Sequence, residues 1–341
     1  MAAESFVPQI PLTSHSYSVE LASSSQLPSF YPPSVNRFQF TSQSVLISHD
    51  NAIRCINDKQ ITFHEDGRIF NVKAVISKKK FPNLAHFIEL SQSSFAAICR
   101  STNEIVRIEF NKNSNQNSMN SPNSSSSISI VNHRKSPFHV SQITSLCKVG
   151  LSLFAGDADG IISNEETETV LVLNRKPISC MAGSEDFRIV VSVSIDNLVV
   201  VSSSDDLEFI RSFRIEKSLG LVSMVAICEG FGIINFLIND NEYSSKILAY
   251  SVNGEFIGAI TLKTQITQMI TATSPSNDLD YLILADNQNK VYIINAFELD
   301  NLKEIVKMES KITALNFVRQ PSMQLMIGTE NGTLRFGNLN L

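Results

Sequence analysis

The residues of this chain best suited to chemistry are the carboxylates that begin at Asp157. Asp157 and Asp159 precede Gly160, and three of the four residues 165–168 are glutamates. Two carboxyl groups held apart across a pocket would suit glycoside hydrolysis, and oxygen ligands alternating around a sharp turn would suit calcium. Glu168 is the twelfth residue counted from Asp157, but Gly160 comes two residues too early for the calcium-loop pattern. The segment is therefore predicted to be a hairpin turn followed by a solvated acidic loop.

The other residue types that carry catalysis or bind metals show no productive spacing. The six histidines lack H-x-x-x-H and H-E-x-x-H pairs, and the five cysteines stand singly with no C-x-x-C, so a zinc site is not predicted. Neither the G-x-S-x-G elbow nor the G-x-x-x-x-G-K-[ST] phosphate loop occurs. We therefore predict no catalytic residue, no metal and no cofactor, and expect the cysteines to be the reduced, partly buried thiols of a cytosolic protein.

The charge balance argues against a nucleic-acid-binding protein. The formal net charge is -5 over 341 residues, whereas binding to phosphates requires a surplus of Lys and Arg.

The N-terminus has no basic stretch followed by an apolar run, so no secretory signal is predicted. Residues 221–238 carry a single charge, Glu229, and are barely long enough to span a bilayer. The Glu-Gly-Phe-Gly sequence in their middle predicts instead a turn between two buried strands.

The elements that would position these residues are short strands. Runs of Val, Ile, Leu and Phe are broken throughout by Asp, Asn, Gly and Ser, and no stretch keeps a strong helical period over a dozen residues. Residues 1–35 are rich in Ser and Pro and are predicted to be a disordered leader. Residues 111–127 are almost entirely Asn and Ser and are predicted to be a solvated insertion within one domain, 36–341.

An internal repeat organises the strands. Five segments begin with a β-branched apolar residue and a small hydroxyl residue and have an apolar residue in fourth place. They begin at Ile143, Ile178, Val222, Ile266 and Ile312. Their spacings of 35, 44, 44 and 46 residues are close to the length of a four-stranded propeller blade.

A tight polar turn recurs about 16 to 23 residues after the start of four of the five repeated segments. Asp159-Gly160 and Asn331-Gly332 accept positive φ at the turn centre and predict hairpins. Further turns are predicted at Asp196-Asn197, at Gln288-Asn289, in a lengthened loop at about 239–245, at Asp66 within segment 61–70, and near Thr102-Asn103. The count is then seven blades. The segment 37–40 is predicted to complete the last blade, which leaves only short, protected sheet edges.

The repeats resemble those of the WD40 family, with departures. The chain has no Trp, and the Gly-His pair that opens the family's repeat is missing. The resemblance places Asp66, Asp159 and Asp196 at the family's turn aspartate but without a His partner. The buried His–Ser/Thr–Asp–Trp network of that family is therefore not expected, and apolar packing is expected to hold the blades together.

Residues 177–260 resemble the C-terminal propeller of BEACH-domain (neurobeachin-like) trafficking proteins. The matching runs are ISCMAGSEDFRIVVSVSIDNLVVVSSSDDLEFIRSFRI (178–215) and ILAYSVNGEFIGAI (247–260). The resemblance implies scaffold work in vesicle traffic, with membrane contact made indirectly through partners. The family's BEACH and pleckstrin-like domains do not fit in the leader, so the chain is interpreted as a fragment or a free-standing propeller.

These observations predict an all-β, seven-bladed WD40-like propeller in the cytoplasm. It is expected to be a non-enzymatic scaffold whose partners are other proteins. The residues expected to contact partners lie in turns on one face of the propeller: Asp66, Asp159, Asp196 and Asn331. Two alternatives stay open. One is a hydrolase with its site at the central channel, which would require turn residues to converge on one cavity; the other is a truncated copy of a larger gene.

Overall fold

The computed structural model describes most residues of the chain. They are 18–21, 25–26, 35–40, 44–49, 52–57, 72–77, 84–91, 94–99, 102–111, 127–134, 136–172, 175–241, 243–274, 279–318, 324–329 and 333–340. Nearly all of them lie in β-strands or in the turns between strands. The prediction of an all-β fold is confirmed.

The strands form antiparallel sheets in which sequence neighbours pair. Two short strands come first, β1 (Ser18–Leu21) and β2 (Ser25–Gln26). Sheet 1 contains β3 (Val35–Phe40), β4 (Ser44–His49), β5 (Ala52–Asn57) and β6 (Val72–Ser77). Sheet 2 contains β7 (Leu84–Ser91), β8 (Ser94–Cys99), β9 (Glu104–Asn111) and β10 (Ser127–Arg134). Sheet 3 contains β11 (Ile143–Val149), β12 (Ser152–Asp157), β13 (Ile161–Asn164) and β14 (Thr169–Val172).

The C-terminal half continues the same pattern. Sheet 4 contains β15 (Ile178–Ser184), β16 (Ile189–Ser194), β17 (Leu198–Ser203) and β18 (Phe209–Arg214). A 3-10 helix, Lys217–Leu219, leads into sheet 5, with β19 (Val222–Cys228), β20 (Ile233–Asn241), β21 (Ser244–Ser251) and β22 (Phe256–Leu262). Sheet 6 contains β23 (Ile266–Thr273), β24 (Asp280–Asp286), β25 (Lys290–Asn295) and β26 (Lys303–Lys307). Sheet 7 contains β27 (Ile312–Val318), β28 (Gln324–Thr329) and β29 (Thr333–Asn340), and both β1 and β2 pair with β29.

The five repeated segments of the sequence begin the first strands of sheets 3 to 7, as predicted. In each of them the register shifts between the first and third residues, which marks a β-bulge at the second. In sheets 3 to 6 the hydroxyl of this second residue donates to a carbonyl of the neighbouring strand, at 3.0 to 3.2 Å. Ser or Thr is therefore needed here because the hydroxyl bonds a carbonyl where the bulge interrupts the ladder.

Apolar layers between successive sheets form the core. Buried side chains of sheets 2 and 3, 3 and 4, 4 and 5, 5 and 6, and 6 and 7 make successive clusters. The second strands are the most buried: every residue of Ile189–Ser194 and of Asp280–Asp286 is buried. Fourth strands alternate towards solvent, as in Thr169–Val172. Burial on both faces explains the near-continuous apolar runs of the second strands.

The first strands pack closely against one another. Each contacts the first strand of the next sheet, from β3 through β7, β11, β15, β19 and β23 to β27, and β27 contacts β3. The approach is tight enough to require glycine. A Cβ on Gly183 would lie 2.3 Å from the Val149 side chain and 2.7 Å from the Lys148 carbonyl oxygen.

The prediction that segment 37–40 completes the last sheet is wrong. Those residues belong to β3, which pairs with β4 across a short connection, in line with the general preference for pairing between sequence neighbours. The outer position on β29 is taken by β1, from within the segment predicted to be a disordered leader. The loop after Val222 is not lengthened either, because β20 extends to Asn241 and β21 begins at Ser244.

The other segment predictions have mixed outcomes. Residues 221–238 contribute β19 and β20 with a turn between them, as predicted, and the turns at Thr102-Asn103, Asp196-Asn197 and Gln288-Asn289 are confirmed. The Asn/Ser segment joins β9 to β10, and its residues 112–126 lie outside the described residues. So do Asp66, with the whole segment 61–70, and Asn331.

None of the helices in the described part of the chain has the length and apolar character required to cross a membrane.

Candidate functional site

A buried polar cluster lies in sheet 3, around the first of the carboxylates singled out in the sequence. His139 Nδ1 is 2.8 Å from Asp157 Oδ2, and His139 Nε2 is 2.7 Å from Ser163 Oγ. The Ser163 hydroxyl is also 2.6 Å from Glu165 Oε1, which accepts a further bond from the Ser136 hydroxyl at 2.9 Å. Asp157 Oδ1 accepts the backbone N–H groups of residues 159 and 161. The cluster ties the loop 136–142 to β12 and β13.

The Ser163–His139–Asp157 distances match those of a nucleophilic triad, but the burial does not suit catalysis. Asp157 and Ser163 are both 0% exposed and His139 is 2% exposed, so no substrate reaches the serine oxygen in this conformation. Buried polar groups that satisfy one another fix the local structure. We therefore assign this cluster a structural role. The expectation that no buried His–Ser–Asp network forms is wrong for this sheet.

The expected solvated acidic loop is also only partly correct. Asp157 and Glu165 are buried, whereas Glu166 and Glu168 are exposed. Glu166 accepts the Leu153 N–H at 2.6 Å and contacts Arg107. Within the described part of the chain, no group of three or more His, Cys, Asp or Glu side chains is arranged to hold a metal ion.

Sheet 6 repeats the arrangement with different residues. Asp286, 1% exposed, ends the second strand as Asp157 does. Its Oδ2 accepts the hydroxyls of Thr264 at 3.0 Å and Tyr292 at 2.9 Å, and its Oδ1 accepts two turn N–H groups. Burial and the Asp286 carboxylate raise the pKa of Tyr292 well above its usual range. The sequence signal that could have found both sites is an Asp three residues before the positive-φ turn residue, Gly160 or Asn289.

The predicted partner-binding residues Asp159 and Asp196 occupy equivalent turns in sheets 3 and 4, each joining a second to a third strand. Asp159 is exposed and accepts the Ser141 hydroxyl. Asp196 accepts the Ser194 hydroxyl and pairs with Arg214 at 2.6 Å. The Ser194 hydrogen bond and the Arg214 guanidinium lower the pKa of Asp196 to about 2. Both aspartates therefore present their carboxyl groups from tight turns.

Asparagines with positive φ connect these turns to the next sheet. Asn197 (φ 62°) donates from Nδ2 to the Gly220 carbonyl at 2.6 Å, and its Oδ1 accepts the Val222 N–H at 3.0 Å. Asn103 (φ 56°) bonds in the same way across sheets 2 and 3, at 2.8 and 2.7 Å. Asn tolerates the left-handed region better than most residues. It therefore shapes the turn and also fixes the start of the following sheet.

A cavity of about 310 Å³ lies among the first strands of sheets 4 to 7. Its polar lining comes from Glu229, Thr271 and Asn316, and the rest is Ala, Gly, Ile and Phe. Neither Asp159 nor Asp196 lines it. The convergence of turn residues that a channel hydrolase would require is therefore not found for these two aspartates.

The described cysteines are buried or partly buried thiols. Cys99, Cys147 and Cys228 are buried, and Cys180 is half-buried. Burial raises the pKa of the Cys180 thiol to about 12, and burial raises that of Cys147 further still. A thiol that stays protonated is a poor nucleophile and metal ligand.

No protein-family model matches this chain, and no curated protein matches it in sequence.

Proposed function

We propose that the chain is a seven-bladed, WD40-like β-propeller that acts as a non-enzymatic scaffold for other proteins. The observation that carries the proposal is the order of contacts among the first strands, which runs from β3 to β27 and returns to β3. Seven sheets that meet in this order are the arrangement expected when blades surround a common axis. Pairing of β1 with β29 supports closure, since it joins the two ends of the chain in one sheet.

The surface of such a propeller is suited to binding. Blades whose second strands are buried along almost all of their length hold the turns in fixed positions, and loops held by a rigid scaffold are common sites of recognition. Asp159 and Asp196 then lie on neighbouring blades of one face, where they offer fixed negative charges to a partner. The serine of the one Ser–His–Asp arrangement seen among the described residues is inaccessible, which favours a scaffold over a hydrolase.

The cellular setting of the proposal follows from the resemblance of residues 177–260 to BEACH-type propellers. We place the protein in the cytoplasm, in vesicle traffic, with its membrane contact made through partners. This setting is supported by the resemblance alone.

Affinity capture tests the proposal. The intact chain is immobilised, and proteins retained from a cytosolic extract are quantified by mass spectrometry. We expect a reproducible set of partners that includes vesicle-traffic proteins. Recovery should fall at least fivefold for the double variant Asp159→Lys/Asp196→Lys, because the reversed charges repel the partner's matching groups.

The matched control is Glu304→Lys, a charge reversal on the fourth strand of sheet 6. Glu304 forms an exposed ion pair with Lys290, and loss of such a pair costs little stability. A chain that retains nothing beyond bare resin, and that hydrolyses a model ester or glycoside, would refute the scaffold proposal.

A further inference from the structure

Two exposed phenylalanines lie side by side at one end of the sheets. Phe231, 54% exposed, is in the turn between the first two strands of sheet 5, and Phe297, 52% exposed, follows the third strand of sheet 6. Their ring centroids are 6.5 Å apart, with 47° between the ring planes. Exposed apolar side chains that cluster, rather than scatter, are typical of interaction sites.

The turns that carry the two rings are fixed before any partner arrives. The N–H groups of Gly230 and Phe231 donate to the Asp280 carboxylate, at 3.2 and 2.9 Å. The Phe297 N–H donates to Asn295 Oδ1 at 2.8 Å. Because hydrogen bonds already order the backbone that carries the rings, this backbone loses little conformational entropy when a partner binds, and that favours affinity.

The turns around these rings are acidic. They join first to second and third to fourth strands, and we call the surface that they form the odd-turn surface. Its exposed carboxylates in sheets 3 to 6 are Glu166, Glu168, Glu185, Asp186, Asp205, Asp206, Glu208, Glu255, Glu298 and Asp300. Arg188 is the single basic side chain in the described turns of this surface, and it already pairs with Asp205 at 2.6 Å.

Hydrogen bonds join the odd turns of neighbouring sheets into one surface. Glu229, in the turn of sheet 5, accepts the Ser184 hydroxyl at 2.6 Å and the Asp186 N–H at 3.2 Å from the turn of sheet 4. In the same way, the Asp280 carboxylate of sheet 6 accepts the N–H groups of Gly230 and Phe231 in the turn of sheet 5. Glu229 also lines the 310 Å³ cavity, so the acidic surface extends to the cavity wall.

The opposite ends of the same sheets have a different charge. The connections between sheets and the turns between second and third strands form the even-turn surface. Five exposed basic residues lie in its described segments: Arg175, Lys176, Lys217, Lys263 and Lys311. Four carboxylates, Asp159, Asp196, Glu216 and Glu309, accompany them. The acidic charge is therefore concentrated on the surface that exposes the paired phenylalanines.

Two carboxylates, Glu298 and Asp300, lie close together beside Phe297. Partial burial and the neighbouring Asp300 carboxylate raise the pKa of Glu298 above its usual range. A cation placed between these carboxylates would relieve the repulsion. The same cation would be attracted to the face of a neighbouring aromatic ring.

We infer that the odd-turn surface binds a Lys- and Arg-rich segment of a protein partner, with Phe231 and Phe297 as its apolar anchor. The inference rests on the proposed scaffold function and gives the scaffold a second binding surface, at the opposite ends of the sheets from Asp159 and Asp196, for partners of this kind. Anionic membranes and nucleic acids are disfavoured as occupants, because ten exposed carboxylates would repel their phosphates.

Selection from a display library tests this inference. Random 12-residue peptides on phage are selected against the intact chain at low salt, and the enriched sequences are synthesised. We expect enrichment in Lys and Arg together with an aromatic or aliphatic residue. Binding of a synthesised peptide should weaken at least fivefold between about 0.05 and 0.5 M NaCl, because salt screens exposed charges.

Two variants locate the binding surface. Phe231→Ser/Phe297→Ser should weaken the selected peptide at least tenfold, as expected when an anchor is removed. Glu185→Lys/Asp186→Lys should weaken it at least fivefold and reduce the salt dependence. This second pair changes only exposed side chains, since the bonds of residues 185 and 186 to Glu229 are made by their backbone N–H groups.

The matched control lies on the even-turn surface. Leu221, 58% exposed, is changed to Ser, and this variant should bind the peptide like the wild type. Each variant should keep the wild-type thermal midpoint. Selection of acidic or neutral peptides, selection of none, or binding that survives both double variants would overturn the inference.

The two proposals can fail separately. Natural partners lost with Asp159→Lys/Asp196→Lys, together with basic peptides that bind Phe231→Ser/Phe297→Ser as well as the wild type, would leave the scaffold function standing and refute the odd-turn surface. A chain that captures no natural protein, yet selects basic peptides sensitive to these variants, would refute the scaffold function alone.

Discussion

Sheets 3 and 4 share a four-strand pattern but hold the end of the second strand in different ways. In sheet 3 that position is Asp157, which bonds a buried histidine and two turn N–H groups. In sheet 4 the equivalent position is Ser194, paired in register with Ile178 as Asp157 is with Ile143. Ser194 bonds only the turn that follows it. The comparison shows that one backbone geometry accepts either a buried polar network or a small side chain.

Removal of the carboxylate from sheet 3 should have the largest effect. Asp157→Ala leaves the His139 ring and two N–H groups without their acceptor, and unsatisfied buried groups are costly. We expect a loss of about 3–5 kcal/mol in the free energy of unfolding. Ser194→Ala should cost less than about 1 kcal/mol, because the acceptor that loses its bond, the Asp196 carboxylate, still reaches solvent. Urea titrations followed by circular dichroism measure both.

A double-mutant cycle sharpens the result. His139→Ala alone and Asp157→Ala alone should each cost more than half of what the double variant costs, because each removes the same contact. The coupling between them should be at least about 1 kcal/mol. Additive losses would contradict the assignment of these residues to one cluster.

The features of the fold that the sequence predicted are the local ones. The start of each repeat, a β-branched apolar residue followed by Ser or Thr, could be recognised because the bulge and its hydroxyl bond form within one pair of adjacent strands. Asp159-Gly160 predicted its turn for a similar reason, since the left-handed residue is needed at that position. Such signals depend on a few consecutive residues and can be recognised without knowledge of the rest of the fold.

The features that were missed depend on the path of the chain. His139 contacts Asp157 only because the loop 136–142 packs against the turn of sheet 3. No Gly-His pair in the sequence marks this histidine as part of a repeat. The strand that pairs with β29 was predicted wrongly because β1 and segment 37–40 are both short and mixed in polarity. Their sequences alone do not show which of the two pairs with β29. The odd-turn surface was missed because its carboxylates are far apart in sequence and meet only through the packing of sheets.

Replacement of Asn197, which connects sheets 4 and 5, should have an intermediate effect on the free energy of unfolding. Asn197→Ala loses both bonds to residues 220 and 222 and strains a backbone at φ 62°, so we expect a loss of about 1.5–3 kcal/mol. Asn197→Gly keeps the turn but not the bonds and should cost about 1 kcal/mol.

The comparison position for Asn197 is Asn289 in sheet 6. Asn289 has φ 68°, and its backbone carbonyl, rather than its side chain, accepts the Met308 N–H. Asn289→Gly should therefore change stability by less than about 0.5 kcal/mol. Equal losses at the two positions would show that backbone conformation alone, without the inter-sheet bonds, accounts for the effect at Asn197.

The smallest expected effect concerns the turn aspartate of sheet 4. The folded-state pKa of Asp196 is about 2, below the unfolded value of about 3.9, so its ionised form stabilises the fold above pH 4. That contribution is lost as the pH falls from about 4 to 2. Because the Arg214 side chain is half-exposed and the Asp196 side chain is 23% exposed, solvent screens the pair, and we expect a contribution of less than about 1 kcal/mol. The difference in unfolding free energy between wild type and Asp196→Asn should therefore be visible at pH 7 and shrink at pH 2.5, and a difference that grew in acid would show that the carboxylate destabilises this turn.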